Sequence, residues 1–135
     1  MKTTPYLFFG GACTDAVEFY RDALGADLKT LVRFRDLPGA TADAGDRVMH
    51  AELAVGDSTI FASDGQGQGR PQGGGYALSL TADNDEEAER LFSALAEGGR
   101  IDVPLMSTPF ASRLGMATDR FGTPWMVTTP QPAHF

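Results

Sequence analysis

The chain has 135 residues, of which 42% are hydrophobic and 21% charged, with a formal net charge of −7. That suits one compact domain with a real core, or two closely joined half-domains. The acidic balance argues against nucleic acid as a partner, because phosphate binding needs a basic surface. No apolar run approaches the roughly 18–20 residues that cross a bilayer, and the single cysteine forms no intramolecular disulfide and suits a reducing cytoplasm.

The first element is PYLFF, residues 5–9, which reads as a strand rather than a signal peptide because its apolar run is short and broken by Pro5 and two glycines. TDAVEFYRDALG then puts Ala16, Phe19, Tyr20 and Ala23 on one helical face, widened by Val17 and Leu24. Strand signals follow in LKTLVRF, VMHAELAV and STIFAS, separated by turn chemistry at Leu37-Pro38-Gly39 and Gly56-Asp57. GQGQGRPQGGG, residues 65–75, reads as a flexible linker. Its glycines do not lead from a strand into a helix, so they give little support to a nucleotide loop.

Beyond the linker the order repeats. YALSLT is a strand, and DEEAERLFSALAEGG a helix with Ala88, Leu91, Phe92 and Leu95 on its apolar face. RIDVPLM, a short LGMAT and PWMVT are strands. Both helices carry an Asp-x-x-Glu capping signature, Asp15/Glu18 and Asp83/Glu86, and both run out at glycine. The expected organisation is α+β: a first βαβββ module over 1–64, the linker over 65–75, and a second βαβββ module over 76–135, together one domain.

With that duplicated order, the stretches PYLFFGGACTDAVEFYRDALGA, VMHAELAVGDSTIFASD and GMATDRFGTPWMV resemble the vicinal oxygen chelate superfamily, the glyoxalase/bleomycin-resistance/dioxygenase fold. The chain is most similar to its PhnB-like branch. The resemblance implies two modules curling a mixed sheet around a cleft, and a homodimer. Many members hold a divalent metal on carboxylates and imidazoles from the first and last strands of each module. Carried over, those positions fall at Pro5, Phe61, Gly75 and Met126, none of which offers a hard oxygen or imidazole nitrogen. No metal and no cofactor are therefore expected. A methyltransferase activity associated with the branch has no nucleotide loop to support it.

Strand alternation nominates the cleft residues. In VMHAELAV it sends Met49, Ala51, Leu53 and Val55 toward the helix and His50 and Glu52 toward the cleft. In KTLVRFR it sends Arg33 and Arg35 to the cleft face. The arginines suit carboxylate or phosphonate oxygens, unless they simply pair with Glu52 across the strands. His50 is the candidate acid/base; paired with Glu52 it is also the seed of a relocated metal site. The expected ligand-binding set is Arg33, Arg35, His50, Glu52, Phe61 and Met126. Phe9, Phe61 and Met126 favour a hydrophobic or partly aromatic ligand. Cys13 precedes a helix, where the dipole lowers a thiol pKa. His134 lies in the proline-flanked tail, and Phe110 should edge the cleft.

Three functions remain open: a metal-free small-molecule binder, an enzyme using His50 or an atypical metal, and a dimeric scaffold. The expected partners are a small molecule and a second copy of the chain, with no nucleic acid and no membrane. The expected location is cytoplasmic.

Overall fold

The computed structural model describes residues 1–41, 45–66 and 74–131. Much of the glycine-rich linker, and His134, lie outside the described residues. The chain divides into two compact units, Met1–Pro71 and Gln72–Phe135.

In the first unit the elements are β1 (Tyr6–Phe8), α1 (Cys13–Leu24), β2 (Asp27–Arg33), β3 (Val48–Val55) and β4 (Ser58–Ser63), with a 3-10 turn at Phe34–Asp36. In the second they are β5 (Leu78–Thr81), α2 (Asp85–Ala96), β6 (Arg100–Met106), β7 (Ala111–Thr118) and β8 (Pro124–Pro130). The first sheet runs β1-β4-β3-β2 and the second β5-β8-β7-β6. In each, the first strand lies parallel to the last and every other pair is antiparallel. The fold is α+β, two βαβββ modules with mixed four-stranded sheets.

Each helix covers one face of its own sheet. Ala16, Val17, Tyr20 and Ala23 of α1 are buried, as are Leu7, Ala51, Leu53, Ile60 and Ala62 on the strands. In the second module Ala88, Leu91, Phe92 and Leu95 are buried with Ala117, Trp125 and Val127. Gly115 makes that packing possible: a Cβ there would lie 3.0 Å from the Phe92 ring and from the Leu105 backbone. At about 25 cal/mol per Å² of apolar surface removed from water, these covered faces supply the main stabilising term. Side chains alternate along a strand, so the immediate neighbours of these buried residues in β1, β3 and β4 face away from the helix.

The helix starts differ from the sequence expectation. Helix α1 begins at Cys13 behind Ala12, whose side chain makes no cap, and Asp15 lies inside the first turn. Its free N–H groups are met from a distance: the buried Asp64 carboxylate accepts from Gly11 N at 2.7 Å and Cys13 N at 2.9 Å. Its second oxygen accepts from Val48 N at 2.7 Å. At α2 the signature is shifted by one residue. Asn84 Oδ1 accepts from Glu87 N at 2.8 Å, and Glu87 Oε1 accepts from Asp83 N at 3.2 Å. Local spacing could not reveal Asp64, because it is far from α1 in the chain. At the other end of α1, Gly25 adopts φ 65° and donates its N–H to Tyr20 O, the left-handed cap that a side chain disfavours.

Candidate functional site

The face of the first sheet turned away from α1 is built by alternation on three strands. Tyr6 and Phe8 come from β1, whose intervening Leu7 is buried. His50 and Glu52 come from β3, where Ala51 and Leu53 are fully buried on the helix side. Phe61 of β4, between buried Ile60 and Ala62, pairs with Tyr6 on one edge and Glu52 on the other.

These side chains form one cluster. Tyr6 Oη lies 2.7 Å from His50 Nδ1. The His50 ring is 5.0 Å from the Phe61 ring and 5.5 Å from the Tyr6 ring, and Tyr6 meets Phe61 edge-on at 5.6 Å. Phe8 stacks on Tyr6 at 5.0 Å. Tyr6 remains 40% exposed and Phe8, His50, Glu52 and Phe61 are half-buried, so the rings present accessible surface. Burial first, and the Cys13 thiol second, raise the Tyr6 phenol above its ordinary value, so it keeps its proton at neutral pH. The hydrogen bond occupies Nδ1 and leaves Nε2 of His50 as the ring atom that can meet a ligand.

The two arginines are not in this cluster, which corrects the expectation from alternation. Val32, not Arg33, stands opposite His50, and partners across a ladder share a face, so normal alternation in β2 turns Val32 to the His50 side and Arg33 to the other. The Arg33 guanidinium donates to Thr14 Oγ1 of α1 at 3.3 Å and to the Asp46 carbonyl at 2.5 Å. Arg35 lies in the 3-10 turn beyond the strand and pairs with the Asp46 side chain. The expected alternative, an Arg–Glu52 cross-strand ion pair, is also absent: Glu52 stands opposite Thr30 and Phe61. The Glu52 side chain makes no ion pair or hydrogen bond with another described residue.

Phe9 is fully buried 6.1 Å from Tyr20 of α1, so it belongs to the core. Met126 is half-buried in the second unit, between buried Trp125 and Val127, and pairs with Met116 and Ser79 on the face turned away from α2. Phe110 is 68% exposed in the β6–β7 connection. Cys13 is fully buried, and burial first and Asp64 second push its thiol to about 12, against a lowering by Arg33. The dipole does not win, so Cys13 is no nucleophile at neutral pH.

A divalent metal does not fit the carried-over positions. Pro5 and Gly75 carry no donor side chain, Phe61 presents a hydrocarbon ring to Tyr6 and His50, and Met126 offers only a soft thioether. Among the described residues, no group of three His, Cys, Asp or Glu side chains could hold an ion.

Sequence reasoning missed Tyr6. Its signal was the alternation Tyr6/Phe8 against Leu7/Phe9 in PYLFF, which separates one aromatic pair from the core. The parallel pairing that sets Tyr6 beside Phe61 had no local signal.

Comparison with known proteins agrees with this architecture. Residues 4–127 match the model of the Glyoxalase/Bleomycin resistance protein/Dioxygenase superfamily. Protein YjdN of Escherichia coli is 33% identical over an alignment 138 positions long, covering 94% of each chain. The crystal structure of protein PA1353 from Pseudomonas aeruginosa superposes with a TM-score of 0.86 at 43% identity, over 98% of this chain and 99% of that one. A putative 3-demethylubiquinone-9 3-methyltransferase, PhnB protein, from Bacillus cereus superposes with a TM-score of 0.76 at 25% identity, over 96% and 99%. The chain therefore belongs to the Glyoxalase/Bleomycin resistance protein/Dioxygenase superfamily, with PhnB-like neighbours.

Proposed function

We propose that this chain binds a small molecule on the helix-free face of its first sheet, through Tyr6, His50 and Phe61, without the divalent metal of its superfamily. The observation that carries the reading is the Tyr6–His50 hydrogen bond inside a half-exposed aromatic cluster. A fixed polar pair set among ring faces is the usual composition of a small-ligand site. The positions Pro5, Phe61, Gly75 and Met126, none with a hard oxygen or imidazole donor, support the metal-free version. The methyltransferase activity in the name of the Bacillus cereus neighbour finds little support here, because neither described strand-to-helix connection, residues 9–12 or 82–84, carries a G-x-G-x-x-G pattern. A homodimer in the cytoplasm completes the reading, with the single buried cysteine suited to a reducing compartment.

The test is a library titration followed by NMR at the Tyr6 and His50 ring signals, alongside calorimetry with zinc, nickel, manganese and ferrous ions. Saturable shifts at both rings that disappear in Phe61→Ala support the site. One ion bound per chain and lost in His50→Ala would overturn the metal-free version.

A second reading has its own observation. Tyr6 Oη orients the His50 ring from Nδ1, as a positioning group does for a catalytic imidazole. His50 Nε2 then acts as acid/base on the bound molecule. Turnover of a binding compound that stops in His50→Gln would favour this enzyme over the pure binder.

A further inference from the structure

The charges on the helix-free face of the first sheet point to the class of ligand. We propose that this face recognises a small organic cation, a tertiary or quaternary ammonium carrying an apolar or aromatic body; the inference rests on the ligand site proposed above.

Glu52 is the one carboxylate in the cluster, directly across from Phe61. The residue is half-buried, and its carboxylate has no partner among the described residues. The guanidinium groups that would neutralise it are held elsewhere: Arg33 by Thr14 and the Asp46 carbonyl, Arg35 by the Asp46 side chain, and Arg47 by the Gly65 carbonyl and the Phe34 ring. An anionic ligand, the class first suggested by the arginines, would meet Glu52 and no described arginine. A neutral ligand would strip water from the carboxylate without replacing it, at a desolvation cost.

A cation meets both features at once. The π faces of Tyr6 and Phe61 attract positive charge, and their edge-on arrangement turns the two rings in different directions about the same spot. Tyr6 keeps its proton, because burial raises its phenol, so the ring carries no charge of its own at neutral pH. The ammonium sits over the rings beside the Glu52 carboxylate, and the net charge of −7 adds long-range attraction. A quaternary nitrogen fits best, because it needs no hydrogen-bond acceptor and loses little hydration on entering a ring-lined site.

Three benzyl probes separate the charge from the site: benzyltrimethylammonium, its neutral carbon isostere neopentylbenzene, and the smaller anion phenylacetate. Each is titrated into the full chain while the Tyr6, His50 and Phe61 ring signals are followed. The cation should bind about tenfold more tightly than the neutral isostere. Glu52→Gln, an isosteric change at a half-exposed position, should bring that ratio toward one by weakening the cation, with the neutral probe bound as tightly or more tightly because the amide costs less to desolvate. The ligand class is overturned if the neutral or anionic probe binds these rings as well as the cation, or if Glu52→Gln keeps the full preference; the site itself then stands. If no probe moves the three ring signals, the cation proposal falls, and failure of the wider library would remove the site with it.

Discussion

The two modules share strand order, pairing sense and a 12-residue helix, but differ on the sheet faces their helices leave uncovered. In the first, that face carries Tyr6, His50, Glu52 and Phe61, which combine rings, an imidazole and a carboxylate. In the second, Ser79, Met116 and Met126 share that face and bring hydroxyl and thioether groups to it. The helix-facing sets are alike because both must fill the space under an amphipathic helix at crystal-like density. The opposite faces carry no such constraint. Repetition of a backbone thus preserves the packing pattern and leaves the chemistry free to diverge.

The buried carboxylates sharpen the contrast. Asp64 fastens the start of α1 to β3, whereas Asp119 closes the turn before β8. Asp119 Oδ1 accepts from Phe121 N and Thr123 N, and Oδ2 accepts from Trp125 Nε1 at 2.9 Å. Asp64→Ala strands three buried or part-buried backbone donors and should cost about 3 kcal/mol in urea unfolding. Asp119→Ala should cost a similar amount, but it alone should alter the fluorescence of folded Trp125, the single tryptophan. An equal fluorescence change from Asp64→Ala would break the assignment of each carboxylate to its own module.

Gly115→Ala addresses packing in the second module. The added methyl is 3.0 Å from Phe92 and the Leu105 backbone, so overpacking should lower stability by about 1–2 kcal/mol. In the first module the sensitive group is Cys13. Its thiol ionises near 9 when unfolded and is pushed to about 12 when folded, so the unfolded chain loses its proton first. Stability should fall as pH rises through that interval, and the fall should be shallower in Cys13→Ala. A native thiol that labels readily at neutral pH would contradict this burial. Phe61→Ala should shift the His50 ring signals, since the rings are 5.0 Å apart. Arg35→Ala should be the quietest change, within about 0.5 kcal/mol, because its ion pair with Asp46 is exposed.

The sequence by itself determined the α+β class, the helix and strand order of both modules, and the cores beneath the helices. Those properties rest on periodicity within short windows, which survives folding unchanged: Ala16, Tyr20 and Ala23 are buried, and so are their counterparts Ala88, Phe92 and Leu95. It also placed His50, Glu52 and Phe61 away from the helix, because β3 over residues 50–53 and β4 over residues 60–62 keep their alternation. Only the tertiary structure decided what surrounds them. The register of β2 on β3 set Val32 on the His50 face and so turned Arg33 toward α1, and parallel pairing brought Tyr6 to Phe61 and His50. Asp64 reached α1 from the far end of β4. Such contacts join residues dozens of positions apart, so they follow from pairing and packing, which no local pattern encodes.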